Sequence, residues 1–293
     1  MVDKKIWHET LHHDIGQYFL IEKILYKKKN RYHEIKIFHN SIMGKIMTID
    51  GIVQTTEKDE FIYHEMLTHV PILSHGSVKD VLIIGGGDGG ILREVCRHKS
   101  INSITMVEID IDIINLCKKY FPNHSNNAYN DPRLNIIIDN GCNFIKNTKN
   151  KFNLIISDST DPVGCGESLF SSEFYSNCKR CLGYDGIFVA QNGVFFLQKN
   201  EIILTFKKLK KYFFDVKFYQ ASIPTYYGGI MMFAWGSDNF EYRKIHNKDL
   251  KKRIQNSKLN FNYYNSKIHI GSFYLPQNVI SILNKSNNLS VGE

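Results

Sequence analysis

A run of five glycines within six residues constrains this chain more than any other feature of its sequence. The apolar segment VKDVLII leads directly into GGGDGG at residues 85–90. This loop fits G-x-G-x-x-G, which is typical of dinucleotide-binding folds, and also G-x-G-x-G, which is typical of folds that bind adenosyl sulfonium compounds. Both kinds of ligand need glycine because the backbone approaches them at angles that a Cβ atom forbids. The loop therefore predicts a strand, a ligand-binding turn and a helix in succession.

Strand patterns alternate with helical patterns along most of the chain. An apolar strand runs from residue 78 into the glycines, and further strands are predicted at 103–110, 133–141, 152–158, 186–192, 215–221 and 228–236. Helices are predicted at 90–98, 111–120, 141–148 and 172–182. Because parallel strands need crossover connections, this alternation predicts an α/β, doubly wound, mostly parallel sheet that is Rossmann-like, as in S-adenosylmethionine-dependent methyltransferases. The last 50 residues show no readable pattern.

The N-terminal part carries signals of β-structure. Residues 33–38 alternate polar and apolar side chains, which is the period of a half-buried strand. Asp50 and Gly51 lie between two apolar runs and predict a tight hairpin, because both residues tolerate positive φ. Residues 59–75 then have apolar side chains at helical spacing. We therefore predict an N-terminal β-hairpin domain over residues 1–58 and a Rossmann-like catalytic domain over residues 59–293.

The net charge of +8 brings nucleic-acid binding into consideration. The lysines are scattered, however, and no aromatic residues alternate with them, so we predict solvated faces and no nucleic-acid partner. No run of about 18 apolar residues is present, so we predict no membrane span. The charged N-terminus lacks the apolar core of a signal peptide. These features predict a cytoplasmic protein.

The cysteines do not form a recognisable metal or disulfide pattern. The chain has six, at Cys96, Cys117, Cys142, Cys165, Cys178 and Cys181. The last two form a C-x-x-C motif, but a zinc site needs a second pair of ligands at similar spacing. We predict reduced thiols, buried or half-buried on helices, and no metal.

Polar side chains stand where three of the predicted strands end. Glu108 follows the glycines by about 20 residues, where a carboxylate can accept two hydrogen bonds from a ribose. Asn140 ends the next strand, where its carbonyl oxygen could accept from an adenine amino group. Asp158 and Asp161 end the strand after that, and two carboxylates exceed what a turn needs. The pattern predicts a binding site at this edge of the sheet.

Asp88, inside the glycine loop, distinguishes between the two ligand classes. A carboxylate at this position would repel a pyrophosphate and attract an ammonium group. S-adenosylmethionine has such a group but also an α-carboxylate, which its decarboxylated form lacks. Two like charges ~4 Å apart cost about 4 kcal/mol at an effective dielectric constant of about 20. Asp88 therefore favours the decarboxylated compound over its more abundant relative.

Several segments match one protein family. They are WHETLH (7–12), DGIVQTTEKDEFIYHEMLTHVP (50–71), VLIIGGGDGG, MVEID, SDSTDP, GESLF, VAQNG (189–193) and IPTYYGG (223–229). With these segments the chain resembles the spermidine synthases, which are polyamine aminopropyltransferases, and especially the bacterial enzymes. The resemblance implies that an aminopropyl group moves from decarboxylated S-adenosylmethionine to putrescine, which yields spermidine and methylthioadenosine. It implies no metal, no permanently bound cofactor and a homodimer formed through the N-terminal β-region.

The resemblance also implies roles for individual residues, with Asp158 as the general base. The implied substrate-binding residues are Tyr63, His64, Asp88, Ser159, Thr160, Asp161, Gln191 and Tyr226. The implied donor-binding residues are His33, Gln54, Gly85, Gly86, Gly87, Glu108, Asn140, Gly141 and Cys165, with Trp7 as a further pocket position. His33, Asn140 and Cys165 depart from the Gln, Asp and Pro of relatives. Residues 158–170 are implied to close over the ligands.

The implied chemistry makes one demand on Asp158. It would accept a proton from putrescine as the amine attacks the carbon next to sulfur, while Asp161 orients the substrate cation. An ordinary Asp has a pKa of about 3.9, about six units below that of the amine, so burial or loop closure has to raise it. Two alternatives stay open. One is another transferase on this fold, with a different amine acceptor or a methyl group to transfer; the other is a non-catalytic nucleic-acid binder.

Overall fold

The computed structural model describes residues 5–160 and 164–288. The strands in the N-terminal part of the chain form two antiparallel sheets. A two-stranded ribbon consists of β1 (Lys5–His8) and β2 (Tyr18–Ile21). A four-stranded sheet follows, with β3 (Lys23–Lys29), β4 (Glu34–Asn40), β5 (Gly44–Ile49) and β6 (Ile52–Thr56). The predicted hairpin turn is confirmed, because Asp50 and Gly51 have φ values of 49° and 80° between β5 and β6.

Helix α1 (Glu60–His75) connects this sheet to the rest of the chain, where the helix at 59–75 was predicted. Asp59 precedes its first turn and is buried. The Asp59 carboxylate accepts hydrogen bonds from the Thr56 hydroxyl at 2.7 Å and from the Thr225 backbone N–H at 2.7 Å. It therefore ties the end of the small sheet, the start of the helix and a distant loop together.

A seven-stranded sheet forms the centre of the structure. Its strands are β7 (Asp80–Gly85), β8 (Ser103–Glu108), β9 (Leu134–Ile138), β10 (Phe152–Asp158), β11 (Leu182–Val194), β12 (Asp215–Ser222) and β13 (Ile230–Ser237). The strand order is β12-β13-β11-β10-β7-β8-β9. Strands β11, β10, β7, β8 and β9 are parallel, and β13 is antiparallel to both its neighbours.

Helices connect the parallel strands, and three further α-helices come after the last strand in the sequence. They are α2 (Gly90–Arg97), α3 (Ile111–Tyr120), α4 (Pro122–Ser125), α5 (Gly141–Asn147), α6 (Ser172–Cys181), α7 (Lys199–Leu209), α8 (Asn247–Ser257), α9 (Ser266–Ser272) and α10 (Gln277–Asn288). The predicted fold is confirmed: a Rossmann-like, doubly wound, mostly parallel sheet preceded by a small antiparallel β domain. The domain division after residue 58 stays a prediction.

The core lies on both faces of the central sheet. Ile83 and Ile156 point towards one hydrophobic cluster, which includes Met66 of α1. Leu82 and Ile155 point towards the other, which includes residues of α6 and α7. Cys178 and Cys181 are fully buried free thiols in this second cluster, as predicted. Within residues 5–160 and 164–288, no helix has the length and apolarity that crossing a membrane requires.

The topology determines where a ligand can bind. The chain enters the sheet at β7, continues to β8 and β9 on one side, and later places β10 and β11 on the other. The strand order therefore reverses between β7 and β10, where Gly85 and Asp158 are paired in register. In open α/β sheets the crevice beyond the carboxyl ends of the strands at such a reversal is the usual ligand site.

Candidate active site

A cavity of about 180 Å³ lies at this reversal point, between the large sheet and the small one. The predicted residues that line it are His33, Gln54, Tyr63, His64, Gly85, Gly86, Gly87, Asp88, Glu108, Asn140, Gly141, Asp158, Ser159, Thr160, Gln191 and Tyr226. Asp161 and the side chain of Cys165 lie outside the described residues. Trp7 is buried in a hydrophobic cluster against which Tyr226 packs, and it is not among the lining residues.

The glycine loop is shaped first by contacts within the protein. Gly85 has a φ of 81°, and a Cβ atom there would lie 2.0 Å from the carbonyl oxygen of Asp158. A Cβ atom at Gly87 would lie 2.7 Å from Oε2 of Glu108. The sequence pattern suggested that a ligand requires these glycines. The structure shows that the backbone at the end of β10 already requires glycine at position 85, and that the Glu108 side chain leaves little room at Gly87.

Asp158 is a buried carboxylate at the end of β10. The Tyr63 hydroxyl donates a hydrogen bond of 2.5 Å to its Oδ1. Burial raises the pKa of Asp158 to about 6, and the negative charge of Asp88 contributes in the same direction. The hydrogen bond from Tyr63 and the charge of His64 act against this rise. Asp158 is therefore a stronger base than an exposed aspartate.

Asp88 and Glu60 hold opposite sides of the His64 ring. Nε2 of His64 lies 3.2 Å from Oδ2 of Asp88, and Nδ1 contacts Oε2 of Glu60. Burial disfavours the charged ring, but the two carboxylates outweigh it and raise the pKa of His64 to about 10. Burial likewise disfavours the Asp88 carboxylate, but the charge of His64 outweighs it and holds the pKa of Asp88 well below its usual range. The pair is an imidazolium and a carboxylate at neutral pH.

The same residues form a cluster with the spacing of a metal site. Ligand atoms of His64, Asp88 and Asp158 all lie within 4.8 Å of one another. A histidine binds metal through a deprotonated ring nitrogen. In His64 both nitrogens face carboxylates, and its pKa of about 10 keeps both protonated. The cluster is therefore better suited to organic cations than to a metal ion.

The predicted ribose and adenine contacts lie at the ends of β8 and β9. Glu108 is buried at the end of β8, and burial raises its pKa to about 7. The Asn140 side-chain oxygen accepts from the backbone N–H groups of Cys142 and Asn143, at 2.8 and 3.3 Å, and so caps α5. An adenine amino group would compete for that oxygen. Its role in adenine binding stays a prediction.

The opposite wall of the cavity is held by backbone contacts. The Tyr226 hydroxyl donates to the carbonyl oxygen of Gln54 at 2.7 Å. Nε2 of Gln191 donates to the carbonyl oxygen of Ser159 at 3.0 Å. These two bonds to backbone oxygens hold Tyr226 and Gln191, which are predicted to bind the polyamine, without using the cavity carboxylates. On the predicted donor side, Nδ1 of His33 lies 3.1 Å from Oδ2 of Asp50.

Sequence reasoning missed two residues that support this site, Glu60 and Arg93. Glu60 lines the cavity, and its i,i+4 spacing from His64 on α1 was an available signal. Arg93 forms two hydrogen bonds of 2.9 Å with the Glu60 carboxylate. No local pattern in the sequence pairs Arg93 with a residue 33 positions earlier.

Comparisons with known proteins agree with this arrangement. The family model "Spermine/spermidine synthase domain" matches residues 60–248, and "Spermidine synthase tetramerisation domain" matches residues 6–57. The chain is 70% identical to the polyamine aminopropyltransferase of Buchnera aphidicola subsp. Schizaphis graminum, over 98% of this chain and 100% of that protein. It is 57% identical to that of Erwinia tasmaniensis, over 97% and 99% of the two chains.

Solved structures give the same result. A spermidine synthase in complex with the transition state analogue AdoDATO superposes with a TM-score of 0.90 at 35% identity, over 96% of this chain and 95% of the other. The spermidine synthase of Thermotoga maritima superposes with a TM-score of 0.87 at 34% identity, over 96% and 94%. Taken with the buried acids at the sheet reversal, these matches mean that the chain belongs to the spermidine synthase family and is a polyamine aminopropyltransferase.

Proposed function

We propose that this enzyme transfers the aminopropyl group of decarboxylated S-adenosylmethionine to putrescine. The observation that carries the proposal is the pairing of two buried carboxylates with different pKa values in one cavity. Asp158 has a raised pKa of about 6, whereas Asp88 stays ionised beside His64. One carboxylate is suited to accept a proton and the other to hold an ammonium group. Both substrates of the proposed reaction carry ammonium groups.

The proposed step needs one base and no acid. The amine nitrogen of putrescine attacks the carbon next to the sulfonium, the carbon–sulfur bond breaks, and its electron pair remains on sulfur. Asp158 accepts the proton from the attacking nitrogen. Methylthioadenosine leaves as a neutral thioether. The raised pKa narrows the difference of about six units that separates an ordinary aspartate from an amine.

We assign the two substrates to opposite ends of the cavity. We assign the donor to the glycine-loop side, with its ribose at Glu108, its adenine near Asn140 and Gly141, and its amine at Asp88. Putrescine is assigned to the side of Tyr63 and Gln191. The solved relative in complex with a transition state analogue supports treating this cavity as the reaction site. Decarboxylated S-adenosylmethionine thus acts as a co-substrate and not as a resident cofactor.

The test is to incubate the purified protein with putrescine and either decarboxylated or ordinary S-adenosylmethionine. Spermidine and methylthioadenosine are measured by mass spectrometry. We expect both products in equal amounts, and only with the decarboxylated donor. If product forms with a longer diamine but not with putrescine, the longer diamine is the acceptor. If ordinary S-adenosylmethionine yields a methylated amine, the enzyme is a methyltransferase and the proposed reaction is wrong.

A further inference from the structure

We propose that Glu60, held by Arg93, is a positioning residue that fixes the His64 ring and, through it, the Asp88 carboxylate. The proposal rests on the proposed function in one respect, which is that Asp88 receives the donor amine. Glu60 itself acts through two other side chains. Its effect should therefore appear in substrate binding more than in the chemical step.

The four side chains form a continuous row of alternating charge. Arg93 donates two hydrogen bonds of 2.9 Å to Glu60, and Glu60 contacts Nδ1 of His64. Nε2 of His64 lies 3.2 Å from Asp88. These side chains are only 4% to 14% exposed. A bidentate arginine–carboxylate pair of this kind restricts both partners in orientation as well as in distance.

Arg93 is itself anchored from several directions. Its Nη1 donates to the carbonyl oxygens of Asn123 and His124 at 3.1 and 2.9 Å, and its Nε donates to Glu94 at 2.7 Å. Glu60 is therefore bound to a side chain that cannot follow a movement of the His64 ring. The row is therefore fixed at Arg93, which is held by α2 and α4, and it ends at Asp88 in the proposed donor site.

The His64 ring is also confined by the glycine loop. A Cβ atom at Gly90 would lie 2.2 Å from both Cε1 and Nδ1 of the ring. Gly90 is therefore needed to give His64 its place beside Asp88. The backbone N–H of Gly90 in turn donates to Oδ1 of Asp88 at 2.9 Å. One oxygen of Asp88 is held by the loop and the other by His64.

No other described carboxylate can replace Glu60 in this role. The charged or titratable groups around the ring are Glu60 and Tyr63 on its own helix, Arg93 of α2 behind Glu60, Asp88 in the glycine loop, Asp158 at the end of β10 and His124 of α4. Asp88 and Asp158 face the cavity, where substrate cations would compete for them. Glu60 also lines the cavity, but it is the carboxylate that reaches Nδ1, and Arg93 holds it there with two hydrogen bonds. With Glu60 neutral, His64 would be free to rotate or lose a proton.

The test compares Glu60→Gln with the wild-type enzyme in steady-state kinetics and in nitrogen NMR of the histidine rings. We expect the KM for decarboxylated S-adenosylmethionine to rise about tenfold, while kcat changes by less than about threefold. At about pH 8 the wild-type His64 ring should show two protonated nitrogens, because its pKa is about 10. The variant should show a population of the neutral ring.

Asp215→Asn is the matched control. Asp215 is also buried and also forms a bidentate pair with an arginine, Arg243, but it lies on β12 and does not line the cavity. We expect it to lower the melting temperature and to leave the KM and the His64 spectrum unchanged. If Glu60→Gln behaves like this control, the proposal is overturned and Glu60 has only a structural role.

A second variant covers the case in which Glu60→Gln does not fold. Arg93→Lys keeps the charge but loses the two parallel hydrogen bonds to Glu60. We expect the same direction of change in KM and in the His64 spectrum. An unchanged His64 spectrum would overturn the proposal. A wild-type enzyme without turnover would disprove the proposed function, whereas the NMR comparison of His64 would still decide the role of Glu60.

Discussion

At the scale of single residues, the buried Asp158 should set the lower pH limit of activity. Its folded pKa is raised to about 6, so below that pH the carboxyl group is protonated and cannot accept the amine proton. We expect kcat/KM for putrescine to fall as the pH decreases through about 6. Tyr63→Phe removes a hydrogen bond that lowers this pKa, so the inflection should move to higher pH. A profile that is the same in both proteins would contradict the assignment of Asp158.

The two cavity aspartates should have opposite effects on stability. A raised folded pKa means that stability falls as the pH rises from about 4 to about 6, and that above pH 6 the charged form of Asp158 destabilises the fold by about 3 kcal/mol. Asp158→Asn should therefore raise the melting temperature at about pH 8 while it abolishes turnover and leaves donor binding intact. Asp88→Asn should lower the melting temperature, because it breaks the ion pair with His64. Equal shifts by calorimetry would argue against this charge assignment.

Asp88 should also discriminate between the two forms of the donor. The repulsion of about 4 kcal/mol expected for an isolated carboxylate pair is an upper limit. His64 lies 3.2 Å from Asp88 and offsets part of its charge. We expect Asp88→Asn to weaken binding of decarboxylated S-adenosylmethionine and to narrow its advantage over S-adenosylmethionine. Titration calorimetry with both compounds measures this ratio, and an unchanged ratio would reject the repulsion argument.

At the scale of elements, the central strands and helices could be predicted because each has a strong local signal. The buried parallel strands β7 and β10 are continuous apolar runs that end at glycine or aspartate. β11 is longer than predicted, at Leu182–Val194, because it pairs with strands on both sides. Helix α8 was missed, since only Leu250 of its eleven residues is buried and its pattern is correspondingly weak.

Individual side-chain contacts between distant elements could not be predicted from the sequence. Helix α1 illustrates this with Glu65, which is buried. Its carboxylate accepts from the backbone N–H groups of Asn262, Tyr263 and Tyr264, at 2.7, 2.9 and 2.7 Å. The contact spans almost 200 positions of sequence, and neither partner carries a motif. The same holds for Arg93 and Glu60 at the active site.

Glu65 should therefore anchor the C-terminal helices to α1. Glu65→Ala leaves three buried or half-buried backbone N–H groups without their acceptor, which should cost about 3 kcal/mol of unfolding free energy. We expect a lower denaturation midpoint and faster amide exchange in residues 262–264. Thr68→Ala is a suitable control, because its buried hydroxyl on the same helix has no hydrogen-bond partner among the described residues. Similar exchange at 262–264 in both variants would contradict the anchoring role.

At the scale of the whole molecule, charge is separated between the surface and the site. The chain has a net charge of +8, yet its cavity contains Glu60, Asp88, Glu108 and Asp158. Burial at the strand ends lets these acids act at short range, where the solvent-exposed lysines are screened. A basic enzyme can therefore bind polyamine cations. The negative charge of the cavity results from the fold, which gathers these acids near the strand reversal between β7 and β10. The overall composition does not reveal it.

The N-terminal ribbon should form an interface between copies of the chain. Trp7 and Phe19 stack at 5.8 Å on its inner face, whereas Ile6 and Leu20 are paired in register on its outer face and are 51% and 37% exposed. An apolar face of this kind on a two-stranded ribbon is typical of an association surface. The match of residues 6–57 to a tetramerisation domain is consistent with this location. We predict that the chain forms at least a homodimer through this face.

Light scattering coupled to size-exclusion chromatography tests the prediction. We expect the wild-type mass to be twice that of the 34.0 kDa chain, and Leu20→Lys to shift it towards the monomer, because a lysine in an apolar interface must be desolvated. Phe214→Lys is the matched control, since Phe214 is 72% exposed but lies just before β12, far from the ribbon in sequence. It should leave the mass unchanged. If the wild-type mass is four times that of the chain and falls in Leu20→Lys, the ribbon remains the interface and the assembly is a tetramer. If the mass is unchanged in Leu20→Lys, the interface lies elsewhere.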